Sequence, residues 1–261
     1  MTNRSERAVA LPYGIWRDGQ ATHALRLRAV SGEDELALEE ALSAGAAPLD
    51  LATLLIARCA HDAAGAPIGE PMATALVLGD REVVLRALHA ISFSRHVEAN
   101  IACAQGCGET IECTLDLDGL VAPAPEPGPL HALLLDGAVV QARPPTGRDL
   151  GQAMRAADPA AHLIAACAGD PSIDRAALAA ELARLDPNAE CAIDVGCPAC
   201  GGATRLYLDG FELLRRALRA GGGILTQIHL LARSYGWREA DILALPRARR
   251  LRYCEMAGGA A

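Results

Sequence analysis

The chain has 261 residues, 51% of them hydrophobic and only 3% aromatic, and its 24 basic and 32 acidic residues give a net charge of −8. This charge argues against binding to nucleic acid or an anionic membrane through a global positive field. Such a role would need a local basic patch, for which residues 247–252 are the candidate. No apolar run reaches the roughly 18 residues that cross a bilayer, and residues 1–7 are not followed by the apolar segment of a secretion signal. We therefore expect a cytoplasmic protein.

The length allows one large domain or two smaller ones, and a repeated order of predicted elements favours two related halves. Residues 1–20 are an N-terminal arm, and residues 21–120 are the first half. The first half carries a strand at 25–30, a helix capped by Ser31 with Asp34 three residues later, an apolar helix that ends near Cys59, a helix at 81–91 after an Asp80 cap, and strands at 97–103 and 109–117.

The same order returns after a connector at residues 121–130, where prolines at every second position from 123 to 129 predict an exposed, extended chain. The second half, residues 131–210, carries a strand at 138–143, a helix capped by Thr146 with Asp149, an apolar helix that ends at Cys167, a helix at 172–185 led by Asp170 and Pro171, and strands at 190–195 and 204–208. We therefore predict an α+β fold of two related helix-plus-hairpin halves.

Residues 211–261 predict an α-helical C-terminal extension. Helices at 211–220 and 224–234 are separated by three glycines at 221–223, because consecutive glycines interrupt a helix. A short helix at 237–245 follows, and Pro246 opens the last one.

Two short cysteine motifs lie in the turns of the predicted hairpins: Cys103 with Cys107, and Cys197 with Cys200. Four thiolates are the ligand set of a closed, tetrahedral structural zinc site, and two related halves packed together would bring both pairs to one ion. We therefore predict one structural Zn²⁺ that joins the halves in a zinc-ribbon-like site. Two unliganded thiol pairs or a redox-active Cys-Pro-Ala-Cys motif are the alternatives, although a redox site of thioredoxin type would have a helix after the motif.

The other cysteines suggest packing rather than chemistry. Nine cysteines, with four at metal-ligand spacing, indicate a reducing compartment rather than a disulfide framework. Cys59 and Cys167 hold equivalent places in apolar helices and are predicted to be buried. Cys113, Cys191 and His96 could each replace a zinc ligand, but packing in the sheets is the stronger expectation for the two cysteines. Cys254 stands alone near the end of the chain.

Motifs of known catalytic sites are absent from the sequence. It contains no Gly-x-Ser-x-Gly elbow, no Walker-type phosphate loop and no His-Glu-x-x-His motif. The charged run of Asp80, Arg81 and Glu82 is expected to cap and solvate a helix start. A four-thiolate zinc site keeps no open coordination position for a substrate. We therefore expect a protein without enzymatic activity.

The tail has two functional interpretations. In the first, a helix-turn-helix followed by the arginines of residues 247–252 contacts nucleic acid, and the protein is a zinc-ribbon regulator. In the second, the tail docks on a partner protein through an aromatic anchor and arginines that pair with acids of the partner. The predicted partner-binding residues are Leu230, Tyr235, Trp237, Arg249, Arg250 and Tyr253. The same residues could also form only an internal core of the tail.

The segment at residues 228–246, with Arg249, Arg250 and Tyr253 after it, resembles the C-terminal signature of a family of phage and prophage baseplate proteins. These are akin to the T-even phage baseplate-hub assembly proteins and belong to contractile tails and injection systems. Residues 78–85 and the Cys-Pro-Ala-Cys-Gly motif of Cys197 and Cys200 are also similar to that family. The first motif departs from it, because three residues separate its cysteines and no proline is present. The resemblance implies a non-enzymatic structural or assembly component of a baseplate or hub. Its partners would be other tail proteins, with no small-molecule substrate.

Overall fold

The computed structural model describes residues 6–17, 20–124, 127–135, 137–169 and 174–258. Between residues 6 and 120 the elements are β1 (Glu6–Arg17), β2 (Gln20–Arg28), α1 (Gly32–Ser43), α2 (Pro48–Cys59), β3 (Ala60–His61), α3 (Gly69–Ala75), α4 (Leu78–Ser92), β4 (His96–Ala102), β5 (Thr110–Asp116) and a 3₁₀ turn (Leu117–Leu120). Between residues 131 and 208 they are β6 (His131–Leu135), β7 (Ala138–Ala142), α5 (Gly147–Ala153), α6 (Pro159–Ala168), α7 (Arg175–Leu185), β8 (Cys191–Gly196) and β9 (Ala203–Leu208). The tail forms α8 (Gly210–Arg219), α9 (Gly223–Tyr235), α10 (Glu239–Leu243) and α11 (Arg247–Gly258).

These elements confirm the predicted mixture of helices and small antiparallel sheets. β1, β2 and β3 form one sheet, while β4–β5, β6–β7 and β8–β9 are separate hairpins. The predicted lead-in of α7 at Asp170 and Pro171 lies outside the described residues, and α7 itself starts at Arg175 after Asp174, whose side chain accepts from the Ala176 amide. Every helix in the described ranges is too short or too polar to cross a lipid bilayer.

Two helix starts share the same polar arrangement. Ser31 and Asp34 form a capping box at α1, and Thr146 and Asp149 form one at α5. In each case an arginine six residues before the aspartate makes a double contact with its carboxylate, with the second nitrogen at 3.0 Å. Burial alone would raise the pKa of both aspartates, but hydrogen bonds from the arginine and the cap residue hold it below its ordinary value. The arginines are Arg28 and Arg143.

The predicted N-terminal arm contains β1, a strand that the sequence did not reveal. β1 pairs with β2 in antiparallel register, with an irregularity between Ala10 and Ile15. Its apolar residues Val9, Leu11 and Ile15 belong to the main core with α2 and α4. This segment is therefore part of the packed fold.

Buried polar contacts join the part of the chain up to residue 122 to the part after residue 130. The Tyr13 hydroxyl of β1 hydrogen-bonds His131 of β6, and the Gly79 amide of α4 donates to Asp186 at 2.8 Å. Gly79 has no room for a side chain, since a Cβ there would lie 1.8 Å from the Asp186 carboxylate. Asn188 bonds both backbone groups of Ala122, accepting from its amide at 2.9 Å. Buried polar pairs therefore hold the two parts together.

The prediction for Asp80, Arg81 and Glu82 needs correction, because these side chains point inward and do not cap the helix. α4 begins earlier, at Leu78, which places all three residues inside its first turns. Asp80 is 1% exposed and accepts from the amides of Tyr13 and Gly14. The run of charges suggested a solvated helix start, and the residues that enclose it are distant in sequence.

Arg81 and Glu82 have equally specific partners. Arg81 is 3% exposed and donates to the Ala73 carbonyl and to the Thr53 hydroxyl. Glu82 accepts from the Gly210 amide at 2.8 Å, and therefore receives the first N–H group of α8. A carboxylate at a helix N-terminus satisfies an amide that has no partner within the helix.

Glu82 predicts a specific pH dependence of stability. Burial raises the pKa of Glu82 from its ordinary 4.5 to about 7, so the folded state holds this proton more tightly than the unfolded state. The stability that Glu82 contributes is therefore fully present below about pH 4.5 and is lost as the pH rises through 7. We expect the free energy of unfolding of the wild type, relative to Glu82→Gln, to fall by about 3 kcal/mol between pH 4.5 and 8. Urea unfolding of both proteins across this range measures it, and parallel pH profiles would contradict it.

The tail helices are not a separate extension. Phe211, Leu214 and Leu218 of α8 are buried in the same core as α2 and α4. The predicted glycine interruption is confirmed, because Gly221, Gly222 and Gly223 all have positive φ angles, and α9 starts at the last of them. α8 therefore completes the core of the first part of the chain.

Candidate functional site

The four motif cysteines lie at the turns of two hairpins. In the first turn, Gly106 and Gly108 have φ angles of 70° and 81°, and the Cys103 amide donates to the Glu109 carbonyl. In the second, Gly201 has a φ of 72°, and the Cys197 amide donates to the Gly202 carbonyl. Residues with a side chain rarely adopt such positive φ angles, so the glycines allow each chain to turn tightly around its sulfur atoms.

The structure brings the four sulfur atoms into one group. All four Sγ atoms lie within 4.8 Å of one another. Cys103 and Cys200 are separated by 3.6 Å, and Cys107 and Cys197 by 3.7 Å. A metal with tetrahedral sulfur ligands at about 2.3 Å would have its sulfurs roughly 3.8 Å apart, so the observed separations fit a metal ion at the centre. Both of these pairs join one motif to the other.

Backbone amides point at the sulfur atoms, as expected for thiolate ligands. The amide of Gln105 donates to Cys103 and is the main cause that lowers the pKa of this thiol to about 7. The amides of Glu109 and Gly202 also act to lower the pKa of Cys107 and Cys200, but neighbouring thiols outweigh them, so that the pKa of each of these two thiols is raised. Such donors stabilise negative charge on sulfur.

Direct contacts also fix the two turns against each other. The Ala104 amide donates to the Thr204 hydroxyl at 2.9 Å, and the Gln105 side chain donates to the Ala203 carbonyl at 3.3 Å. Cys103 and Cys197 are buried beside Ile111, while Cys107 and Cys200 are exposed. The arrangement therefore has an apolar inner side and a solvent-facing outer side.

The remaining cysteines and His96 lie outside this group. Cys113 and Cys191 are half-buried in a second apolar cluster, where the hairpins β4–β5 and β8–β9 pack together. Cys59 and Cys167 are buried, and burial raises the pKa of Cys59 to about 12 and that of Cys167 to about 11. His96 pairs across the hairpin with Asp116. In the described residues, the sulfur group contains four cysteines and no histidine.

The tail carries an aromatic cluster, made of Tyr235, Trp237 and Tyr253. The rings of Tyr235 and Trp237 stack with centroids 4.9 Å apart, and Tyr253 meets Trp237 edge-on at 4.9 Å. Tyr235 is 39% exposed and the other two are half-buried. Arg249 is exposed and Leu230 is half-buried. The cluster is therefore partly an internal core of the tail and partly a surface.

Arg250 does not belong to that surface, which corrects its prediction as a partner-binding residue. Its side chain is 0% exposed and forms an ion pair with Glu35 of α1. It also donates to the Gln227 side chain at 2.7 Å. Arg247 reaches the other oxygen of Glu35 at 2.6 Å. Glu35 therefore binds two arginines of α11 and fixes the tail on α1.

Glu35 was not predicted to have a role, because Glu33 and Asp34 beside it and further acids later in α1 suggest an exposed helix. The tail, by contrast, contains more basic than acidic residues. Nine of the 24 basic residues but only four of the 32 acidic ones lie at 211–261, and every basic residue of the chain is arginine. The acidic character of the protein therefore resides in the part before residue 211.

Together these residues form a preorganised four-thiol group and, on the tail, an aromatic cluster beside exposed arginines. The first has the geometry of a metal site. The second combines large flat side chains with positive charge, a composition typical of protein interfaces. Comparisons with protein-family models, with curated proteins and with solved structures found no match to the chain.

Proposed function

We propose that Cys103, Cys107, Cys197 and Cys200 bind one structural Zn²⁺. The donor set supports zinc, because four thiolates favour a soft, tetrahedral ion over Mg²⁺ or Ca²⁺. The backbone donors to sulfur support it too. Four protein ligands fill the coordination shell and leave no position for a substrate. The metal then has an architectural role and the protein is not an enzyme.

The metal would join two related halves, residues 21–120 and 131–210. The support is the repeated element order and the repeated arginine–aspartate capping arrangement, each placed before a helix that ends at or next to a buried cysteine. Each half also ends in a hairpin that supplies two thiols. A single ion bound by both hairpins would close the chain between positions about a hundred residues apart.

We propose that the protein is a structural or assembly component of a phage-like contractile tail, acting in the baseplate or hub through protein contacts. The observation that carries this is the partly exposed aromatic cluster beside Arg249 on the tail helices. It lies in the segment that resembles the baseplate family. Aromatic and arginine side chains supply much of the binding energy in protein interfaces, so the partner would present acidic and apolar groups.

The test uses surface substitutions, because deleting the tail would also remove Phe211, Leu214 and Leu218 from the core. Tyr235→Ala combined with Arg249→Glu is expected to reduce co-purification with the proteins encoded by neighbouring tail genes by at least about tenfold, since two hot-spot residues are lost. The matched control is Tyr207→Ala with Arg148→Glu, which changes an exposed tyrosine of β9 and an exposed arginine of α5. Equal recovery with both variants would contradict docking through the tail.

The excess of arginine in the tail supports a second candidate function, a zinc-ribbon regulator that binds nucleic acid. The same two variants discriminate between the functions. A shift of duplex DNA at micromolar protein that the tail variant abolishes, and that weakens steeply between 50 and 200 mM salt, would favour the regulator. Absence of that shift, together with tail-dependent recovery of tail proteins, favours the baseplate component.

A further inference from the structure

An apolar groove of about 420 Å³ runs between α6 and α7. Leu163 and Ile164 of α6 line one wall, and Leu182 with the small residues Ala179 and Ala183 lines the other. Ala179 and Ala183 are exposed, and Leu163 and Leu182 are half-buried. Small side chains on a groove wall let another backbone approach closely. The groove therefore presents leucine side chains and flat alanine surface to solvent.

In the first half, a helix covers part of the corresponding place. The sequence Leu-Ile-Ala-x-Cys occurs in α2 at residues 55–59 and in α6 at residues 163–167, so Ala52 of α2 corresponds to Ala160 of α6. Ala52 lines one cleft together with Leu85 of α4 and Phe211 of α8. Ala160 lines the open α6–α7 groove. In the first half, α8 thus closes one side of a cleft of about 300 Å³, whereas in the described residues no helix closes that side of the α6–α7 groove.

The difference follows from what comes after each hairpin. β9 leads directly into α8, which returns to pack on α4. β5 leads only into the 3₁₀ turn and then into the proline-rich connector, of which Ala122 is tied to Asn188. Within the described residues, the chain has no helix between residue 120 and β6. The second half therefore lacks its own counterpart of α8.

We propose that the α6–α7 groove binds an amphipathic helix of a partner protein. This rests on the relation between the halves proposed above, and not on the metal. The template is α8, which buries Phe211, Leu214 and Leu218, spaced three and then four residues apart along one helix face. The α8 of a second copy is already buried in its own core, so the occupant is a helix of a different protein.

Charges at the rim restrict the partner further. Arg175 lies at the start of α7 and the exposed Glu190 lies beyond its other end, and both line the groove. Asp186 also lines the groove, but it is buried and accepts from the Gly79 amide. A helix that lies along the groove would match these ends with an acidic residue near Arg175 and a basic residue or its positive N-terminus near Glu190. The partner helix therefore has large apolar side chains at positions i, i+3 and i+7 and a charge of opposite sign at each end.

A peptide of residues 209–220, which carries the α8 sequence, serves as the probe for the full-length protein. We expect it to bind with a dissociation constant of about 10–100 µM, as for a short helix with three anchors, measured by fluorescence anisotropy. A peptide with Leu214→Glu should not bind. In the protein, Ala179→Arg should weaken binding at least about tenfold because arginine fills the groove, whereas Ala180→Arg, at an exposed α7 position outside the groove, should change it less than about twofold.

The results that would overturn the proposal are distinct. No saturable binding up to about 1 mM peptide would exclude a helix site of this kind. Equal binding to the Ala179→Arg and Ala180→Arg proteins would show that the peptide binds outside the groove, for example by displacing α8 from the core. Self-association of the protein that Ala179→Arg abolishes would assign the groove to a second copy. None of these readouts depends on zinc or on the aromatic cluster, so they leave the proposed function to its own test.

Discussion

Replacing Cys197 by serine is expected to release the zinc and to lower the free energy of unfolding by at least about 3 kcal/mol. Structural zinc contributes roughly 10–16 kcal/mol of apparent binding energy in zinc-finger peptides, and only part of it is lost here because the separate apolar cores remain. Cys197 is the most buried of the four motif cysteines, at 3% exposed. Without the ion, the two hairpin turns would lose the bonds from sulfur to metal that join them. For a chain of this size we expect a melting temperature lower by about 6–12 °C.

Elemental analysis and thermal unfolding measure the two consequences separately. The wild type should contain about one zinc per chain, and the Cys197→Ser variant much less. Cys113→Ser is the matched control, because this cysteine lies in the neighbouring strand and packs between the hairpins without joining the sulfur group. Wild-type protein that stays equally stable after its metal is removed by a chelator would contradict the structural role.

Replacing Arg250 by alanine should be the other strongly destabilising change. Among the described residues, it leaves the Glu35 carboxylate, at 3% exposed, with Arg247 as its one remaining ionic partner. Removing one member of a buried ion pair typically costs about 3–5 kcal/mol, and we expect about 3 kcal/mol because Arg247 compensates in part. The loss should appear first in the tail, as faster hydrogen exchange in α9 and α11.

The neighbouring residue supplies the control. Arg249→Ala removes the same side chain from an exposed position of α11 and should change stability by less than about 0.5 kcal/mol. The double replacement Glu35→Leu with Arg250→Met removes both charges and should recover most of the loss, since apolar residues of similar volume often replace a buried pair without penalty. If Arg250→Ala were as stable as Arg249→Ala, the ion pair would not hold the tail on α1.

Local signals explain what the sequence could predict. The capping residues Ser31 and Thr146, the interruption at Gly221–Gly223 and the cysteine spacing each act over a few residues. Each of these has the predicted local structure. The repeated order of elements strengthened the prediction of helices and strands, because each element in residues 21–120 could be compared with its counterpart in residues 131–210.

The features that the sequence did not predict depend on contacts between residues that are distant in sequence. β1 was missed because its partner and its core neighbours follow later in the chain. Asp80 was misjudged and Glu35 was missed, because charge near a helix start usually faces solvent. Only the tertiary structure shows the amides that bind Asp80 and the arginines that bind Glu35. α8 was assigned to a separate extension because an amphipathic pattern does not say which core it covers.

The place of α8 also has a consequence for synthesis on the ribosome. Phe211, Leu214 and Leu218 complete a core that otherwise comes entirely from residues 9–88. A ribosome that adds 5–20 residues per second needs on the order of ten seconds to pass from residue 88 to residue 218. During that interval the first half has an open apolar surface, which would be a binding site for a chaperone. Splitting the gene between the halves would therefore yield an N-terminal product with an unfinished core.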